Sequence, residues 1–441
     1  MNEGRNLANN SNYRRGLFPR ESGSRNKVNR VRKVRQKRQF SWVLLVTAGS
    51  LLTIMTFPGQ TAGLSPLTDP LIKSLEIDRT TISISYLVAT LAGALTMPLL
   101  GKTLDKYGTK LAITVTGFAF SGFLYFASYV SDILGLTVSY IGLRMLGQGA
   151  LTLAATTLIA RSITHRTGLA LGITGAVGSA GISLAPIAIE RIVTLYDVAT
   201  AWRIESALIA IVVLPIAFLL PRESSKKSQS SSSELREGLA RPGDYQTSQA
   251  IKTGMFWVLS AAGFTTGMLS TGLAFHLISI LGTKGLSSVE AAANFIPQSF
   301  AAVGATLLIG AIIDRVDPRW ATAGSMLALS SCLVFLIFVR PGFSALLFGL
   351  LLGSAMGSLR GIEAAAFVRY FGPSNIGAIR GLSTSIALVS TALGPVYFAL
   401  GFSISGTYTA ASLAASILPI AVAFSALLVK PPPLRRNEND G

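Results

Sequence analysis

Long apolar runs alternate with short polar loops from about residue 41 to about residue 429. Crossing a bilayer takes about 20 mostly apolar residues. Twelve runs meet that length. In the first half they fall at roughly 41–62, 82–103, 109–129, 134–160, 168–192 and 202–220. In the second they fall at roughly 253–281, 289–313, 320–339, 342–368, 377–401 and 406–429. The runs are too continuous for the short alternating strands of a membrane barrel. Hydrocarbon cannot satisfy backbone polar groups, so helices are predicted. The expected fold is an all-α membrane protein of twelve transmembrane helices in two pseudo-symmetric six-helix halves.

The two halves carry a repeat. Gly101-Lys102-Thr103-Leu104-Asp105-Lys106-Tyr107-Gly108 returns 209 positions later as Gly310-Ala311-Ile312-Ile313-Asp314-Arg315-Val316-Asp317. The same offset aligns Gly168-Leu169-Ala170-Leu171-Gly172 with Gly377-Ala378-Ile379-Arg380-Gly381, and Pro186 with Pro395. Two separated matches at one offset indicate a duplicated membrane half, an architecture whose sites lie between the repeats.

Composition agrees with the pattern. Half of the chain is hydrophobic, 13% is charged and the mean hydropathy is +0.54. Soluble domains carry about 25% charged residues. The net charge of +18 reads first as topology. Lys73, Arg79, Arg191, Arg203, Lys284 and Arg340 fall on the side away from the termini, and Arg144 and Arg360 fall inside spans. The remaining 30 of the 38 basic residues lie on the side of the N-terminus. Loops rich in Lys and Arg stay cytoplasmic, so both termini are predicted cytoplasmic in a plasma (inner) membrane.

Five segments follow. Residues 1–40 hold twelve Lys or Arg and two acids and form a basic, disordered tail. Such a tail sits near anionic headgroups. A nucleic-acid-binding arm and an Arg-rich transit peptide are the competing readings. The segment has no apolar run that could fold, so no nucleic-acid partner is expected. Residues 41–220 and 253–429 are the two halves. Residues 221–252, with Ser230-Ser231-Ser232-Ser233, are a cytoplasmic linker, and residues 430–441 are a short tail opened by prolines.

A charge inside a span costs about 3 kcal/mol or more, so such residues face the protein interior and are candidates for function. Arg144 is one; binding solute, a proton-linked switch and pinning a backbone carbonyl are all open to it. Arg360 and Glu363, three apart in span 10, share one helix face. Arg360 suits an anionic solute group, because a guanidinium donates two parallel hydrogen bonds to a carboxylate. Glu363 is the candidate proton carrier, with mutual neutralisation of the pair as the competing reading. Asp105 and Asp314 sit at the membrane edge beside Lys106 and Arg315, and Gly101 and Gly310 allow close helix approach. Each carboxylate suits the positive end of a neighbouring helix. Span 5 repeats Gly172, Gly175, Gly178 and Gly181, a side-chain-free face on which another helix can pack backbone to backbone. Glu190 and Arg191 read as a solvated pair at the external mouth. The single cysteine, Cys332, excludes an internal disulfide and reads as packing. The histidines His165 and His276 lie far apart, so no metal is expected. No phosphate loop or dinucleotide fingerprint is present, so no cofactor and no enzymatic activity are expected, and a gradient or an exchange partner supplies the energy.

Gly101-x-x-x-Asp105-Lys106-x-Gly108-x-Lys110, with Arg144-Met145-Leu146-Gly147-Gln148-Gly149, resembles the major facilitator superfamily over about residues 41–429. The resemblance implies a gate, in which the aspartate loops lock the halves together on the cytoplasmic side. Asp317 stands where the second loop would carry its second glycine, which implies a weaker lock. The resemblance also implies that spans 1, 4, 7 and 10 line the central cavity, where Gln60, Gln148 and His276 join Arg144 and Arg360 as candidate solute ligands; hydrogen-bonded packing is the competing reading for His276. Arg166-x-Gly168-Leu169-Ala170-x-Gly172-Ile173, Tyr370-Phe371-Gly372-x-x-x-x-Gly377-Ala378-Ile379-Arg380-Gly381 and Pro58-Gly59-Gln60-Thr61 are similar to monocarboxylate porters and bacterial oxalate/formate-type antiporters. In place of the acid–arginine pair of animal lactate carriers, span 8 has only Asn294 and Gln298. The implied function is secondary transport of a small organic anion by a monomer, coupled to protons or to anion exchange. An exporter of drugs or metabolites is the alternative, because Gly172, Gly181, Ala185 and Pro186 fall on the antiporter spacing of span 5. A membrane sensor is the third reading, and the tails are too short to form its signalling domain.

Overall fold

The structure is a computed structural model that describes residues 42–163, 165–220, 245–373 and 375–432. The tail at 1–40, most of the linker at 221–252 and the end of the C-terminal tail lie outside the described residues. The chain divides into Met1–Leu45 and Val46–Gly441, and the relationships below lie within the second unit.

Among the described residues, eleven helices are long and apolar enough to cross a membrane. They are α1 (Trp42–Ser74), a 49-residue helix Arg79–Ala127, α4 (Ile133–Ser162), α5 (Thr167–Leu195), α6 (Val198–Leu219), α7 (Gly254–Phe275), α8 (Ser288–Ile312), α9 (Pro318–Phe338), α10 (Phe343–Phe371), α11 (Ile376–Ser405) and α12 (Tyr408–Leu428). The 49-residue helix is two spans in one, because Gly108 interrupts it with φ 81° and ψ 166°. Only glycine adopts that backbone readily, which explains the second glycine of the first loop motif. The arm before Gly108 is α2 and the arm after it is α3, giving twelve membrane helices. Among the described residues there is no strand.

Boundaries agree with the apolar runs except in three places. Span 1 was expected to end near residue 62, but α1 continues to Ser74 and carries Asp69 inside it. It does so across a break: Phe57–Gly59 form a single 3-10 turn and Gln60 is extended (φ −88°, ψ 152°) before the helix resumes at Thr61. Span 7 breaks at His276 (φ −100°, ψ 12°) and resumes as Leu277–Gly282. At the second loop, Asp317 takes an ordinary extended conformation (φ −67°) and caps α9, with Pro318 as its first residue. The two loops therefore turn by different means, and no glycine is needed at 317.

Close helix contacts run through glycines, though not where the sequence placed them. Gly353 and Gly357 of α10 lie against the Gln298 and Ala302 carbonyls of α8, and Gly394 of α11 lies against Met268 and Gly272 of α7. On α5, by contrast, Gly178 and Gly181 meet the side chains of Thr53 and Ile54 in α1, while Gly172 and Gly175 face open space. That face is a groove for two α1 side chains rather than a backbone-to-backbone seam. Asn294 and Gln298 are structural: Gln298 donates to Asn294 at 3.0 Å, and Asn294 donates to the Ala345 carbonyl of α10 at 2.7 Å.

Candidate functional site

The polar residues gather in three places. The first is the break in α1. Because Gln60 leaves the helix, the Gly59 carbonyl has no partner along α1. Arg144 supplies one: its Nη1 donates to that oxygen at 3.1 Å, and its guanidinium stands 4.7 Å above the Tyr86 ring. Arg144 is 3% exposed, and its Nε has no partner. It opens a stretch of π-helix, Arg144–Leu151, a distortion that recurs at functional sites. A Cβ on Gly59 would lie 2.9 Å from the Gln148 amide nitrogen and 2.9 Å from the Gly147 Cα, so α1 and α4 touch backbone to backbone. Gln60 donates to Thr56 at 3.2 Å, and both Gln60 and Gln148 are partly exposed.

The second place is on α10. Gly353, Gly357 and Gly361 face α8, whereas Glu363 faces α7, its Oε1 lying 2.7 Å from where a Gly263 Cβ would be. Arg360 falls between these two faces and is exposed. Glu363 lies within electrostatic range of Arg360 and of Arg380 on α11, which is also exposed. Among the described residues no ion pair joins Arg360 to Glu363.

The third place is the end opposite the glycine–aspartate loops, where the halves are shut. Arg79 donates to Asp69 at 2.6 Å and to Ser279 of α7's continuation at 2.8 Å, and Ser279 donates to Asp69 at 2.5 Å. The Arg79 guanidinium also stands 5.3 Å above Phe402 and 5.8 Å above Tyr408. One level deeper lies His276, 1% exposed. Its Nε2 lies 3.1 Å from the Pro395 carbonyl oxygen and 3.3 Å from Ser83 Oγ. A carbonyl only accepts, so Nε2 carries the hydrogen and Nδ1 is a buried acceptor without a partner. Deeper still, Tyr86 packs on Phe275 with ring centroids 4.7 Å apart, and Ser183 of α5 hydrogen-bonds Ser299 of α8. Glu190 belongs to the same seal. It is 6% exposed and hydrogen-bonds Thr194 and Ser288, so it is not the solvated pair expected with Arg191.

At the loop-motif end the halves are apart. Asp105 pairs with Arg161 of its own half at 2.5 Å rather than with a helix of the other half. Gly101, Gly168, Gly310 and Gly377 face open space, and Asp314, Arg315 and Lys106 are exposed. Lys110 donates to the Phe218 and Leu220 carbonyls at 2.8 and 2.7 Å, closing the C-terminus of α6. Arg369 does the same service for the second loop, donating to Ile313 and Val316 at 3.3 and 2.7 Å. Asp317 accepts from Tyr370 at 2.5 Å, so the residue that replaces glycine ties its loop to α10.

The candidate ligands thus divide: Arg144, Gln148 and Gln60 stand at the α1–α4 contact, Arg360 and Glu363 on α10, and His276 inside the closed seal. The sequence did not single out Asp69, Arg79, Ser279 or Ser83. An acid inside α1 was the available signal, and it was missed because span 1 was ended too early.

Among curated proteins none matches by sequence. Solved structures match over most of their length. The nucleoside transporter NupG superposes with a TM-score of 0.72 at 16% identity, covering 87% of this chain and 98% of its own. A bacterial homologue of the human lysosomal transporter Spinster, in an inward-facing and occupied conformation, gives 0.70 at 15%, covering 88% and 96%. Its unoccupied form gives 0.67 at 14%, covering 88% and 95%. Residues 43–395 match the family model described as the Major Facilitator Superfamily. With that match over most of its length, twelve membrane helices in two repeated halves and a seal at one end only, the chain belongs to the Major Facilitator Superfamily and is a multi-pass membrane transporter of small solutes rather than an enzyme.

Proposed function

We propose that this transporter moves a small organic anion, such as a monocarboxylate, by alternating access coupled to protons or to anion exchange. The observation that carries this reading is the pair of exposed guanidinium groups, Arg360 and Arg380, flanking Glu363 on the open side of the second half. Arg360 binds the anionic group through its planar fork, and Glu363 carries the proton. Arg144 holds the broken α1 against α4, so that Gln60 and Gln148 present amides to the solute. The similarity of the motifs before α5 and α11 to monocarboxylate porters supports the same solute class.

The state described here is inward-facing in this reading, with both termini cytoplasmic and the chain working as a monomer in the inner membrane. Asp69, Arg79, Ser279 and His276 then form the outer seal. The loops at Asp105 and Asp314 form the inner lock, released here and closed when the site faces out. A seal at one end and an opening at the other is what alternating access requires of each half-cycle.

The experiment is a thermal-shift panel on the purified protein beside Arg360→Gln, with mono- and dicarboxylates, nucleosides, sugars, amino acids and lipophilic cations. A ligand that binds only the folded state raises its apparent stability. Stabilisation by carboxylates that Arg360→Gln abolishes is the expected result. Stabilisation of both proteins by lipophilic cations overturns it and favours the drug or metabolite exporter.

A further inference from the structure

A cavity of about 300 Å³ opens between α2, α3 and α4 near the loop-motif end. Leu100, Leu104, Tyr107, Leu111 and Leu153 are among the residues that line it. Its mouth runs onto the outer flank of α3, where Leu111, Val115 and Phe118 are 49%, 58% and 57% exposed. In a chain that crosses a bilayer those aliphatic and aromatic groups meet hydrocarbon. The cavity wall is almost entirely carbon, so it does not retain water, which needs two or more polar partners. An unfilled void forfeits the dispersion contacts of its lining.

The charge at the mouth is one-sided. Lys106 places its Nζ 5.0 Å above the ring of Tyr107, a cavity wall residue. Lys102, one helical turn earlier, is exposed but projects from the side of α2 away from Leu100, Leu104 and Tyr107. The nearest acid, Asp105, is already paired with Arg161 at 2.5 Å. Among the described residues neither lysine has an ion-pair partner.

We propose that this cavity is a lipid site: it holds an acyl chain of an anionic phospholipid whose headgroup lies against Lys106. Apolar walls select a hydrocarbon chain, and the uncompensated Lys106 ammonium group at the mouth selects a negative headgroup. The site is independent of which solute the protein carries, so it stands or falls separately from the organic-anion reading.

The test uses the full-length protein, delipidated in detergent and offered dioleoyl phosphatidylglycerol or dioleoyl phosphatidylcholine, with retained lipid counted by native mass spectrometry. A base near a lipid surface contributes about 1 kcal/mol, so phosphatidylglycerol is retained about fivefold better, and Lys106→Gln removes most of that preference. Ala112→Phe fills the cavity and lowers retention of phosphatidylglycerol. Val115→Phe, at the exposed rim, does the same without burdening the core, and it decides the matter should the first variant fail to fold. Equal retention of the two lipids by the parent protein overturns the proposal, as does undiminished phosphatidylglycerol retention in the folded cavity-filling variants.

Discussion

Arg79 and Ser279 lie 200 residues apart in the chain and 2.8 Å apart in space, and their hydrogen bond ties the first half to the second at the sealed end. Ser279 passes the tie on to Asp69, so one hydroxyl serves both members of an ion pair. Ser279→Ala leaves the Asp69–Arg79 pair in place and removes both bonds across the halves. Hydrogen bonds to charged groups contribute about 1.5–3 kcal/mol, so the seal opens more than tenfold more often. A cysteine introduced beneath the seal reports this as faster labelling by a membrane-impermeant maleimide. The only native thiol, Cys332, is buried and stays silent.

Ser183 and Ser299 hydrogen-bond across the same interface, deeper in the membrane. Replacing both with cysteine brings two thiols within bridging reach. Oxidation is expected to cross-link the pair in the state seen here and to stop transport, and reduction to restore it. Combining the pair with Ser279→Ala lowers the cross-linking rate. Equal rates with and without Ser279→Ala count against Ser279 as a tie.

Gly59 fills a position with no room for a side chain. Its added Cβ would press on the Leu143 carbonyl and come within 2.9 Å of two backbone atoms of α4. Backbone cannot move aside as a flexible side chain does. Gly59→Ala is expected to destabilise the protein by about 3 kcal/mol, the upper range for overpacking, and to lower the melting temperature in detergent.

Arg144→Lys preserves charge but not geometry. A single ammonium group cannot both reach the Gly59 carbonyl and lie flat above Tyr86 as the guanidinium does. The expected loss is about 1–3 kcal/mol in thermal unfolding, from a buried carbonyl left without its donor. Gln60→Ala, which removes a partly exposed amide and its 3.2 Å bond to Thr56, costs about 1 kcal/mol or less and alters solute affinity.

Asp78 starts α2 by accepting the Thr81 amide hydrogen at 2.6 Å, and that bond holds its carboxyl below the ordinary 3.8. A carboxyl lowered in the folded state stabilises the fold above its unfolded pKa, and that contribution disappears as pH falls through the folded value. The cap is therefore at full strength at neutral pH and is lost in the window below about pH 3.8. Asp78→Ala costs about 1 kcal/mol at pH 7, as for other N-caps, and progressively less as pH falls below about 3.8. Melting curves of the two proteins across pH 2–7 converge at the acid end if the cap acts this way.

Hydrophobic run length located nearly every helix, and the loop motif located the duplication, down to residues such as Asp105 and Asp314. Reading failed where a helix breaks yet continues. Span 1 was ended near residue 62, so Asp69 fell outside it although α1 runs on to Ser74. The glycines of α5 were read as one face, although only Gly178 and Gly181 lie deep enough to meet α1.

What the sequence determined by itself was the membrane-spanning character, the twelve helices, the repeat and the family, because each is a property of local composition or of motifs recurring at one offset. Only the tertiary structure decided which polar groups meet: Arg144 with the Gly59 carbonyl, Arg79 with Ser279, His276 with Pro395, and Asp105 with Arg161 of its own half. Those pairings depend on how each helix is rotated and how far the two halves have tilted. A one-dimensional pattern reports which residues a helix carries, whereas hydrogen bonds between helices are set by rotations and separations of a few ångströms that the pattern does not encode.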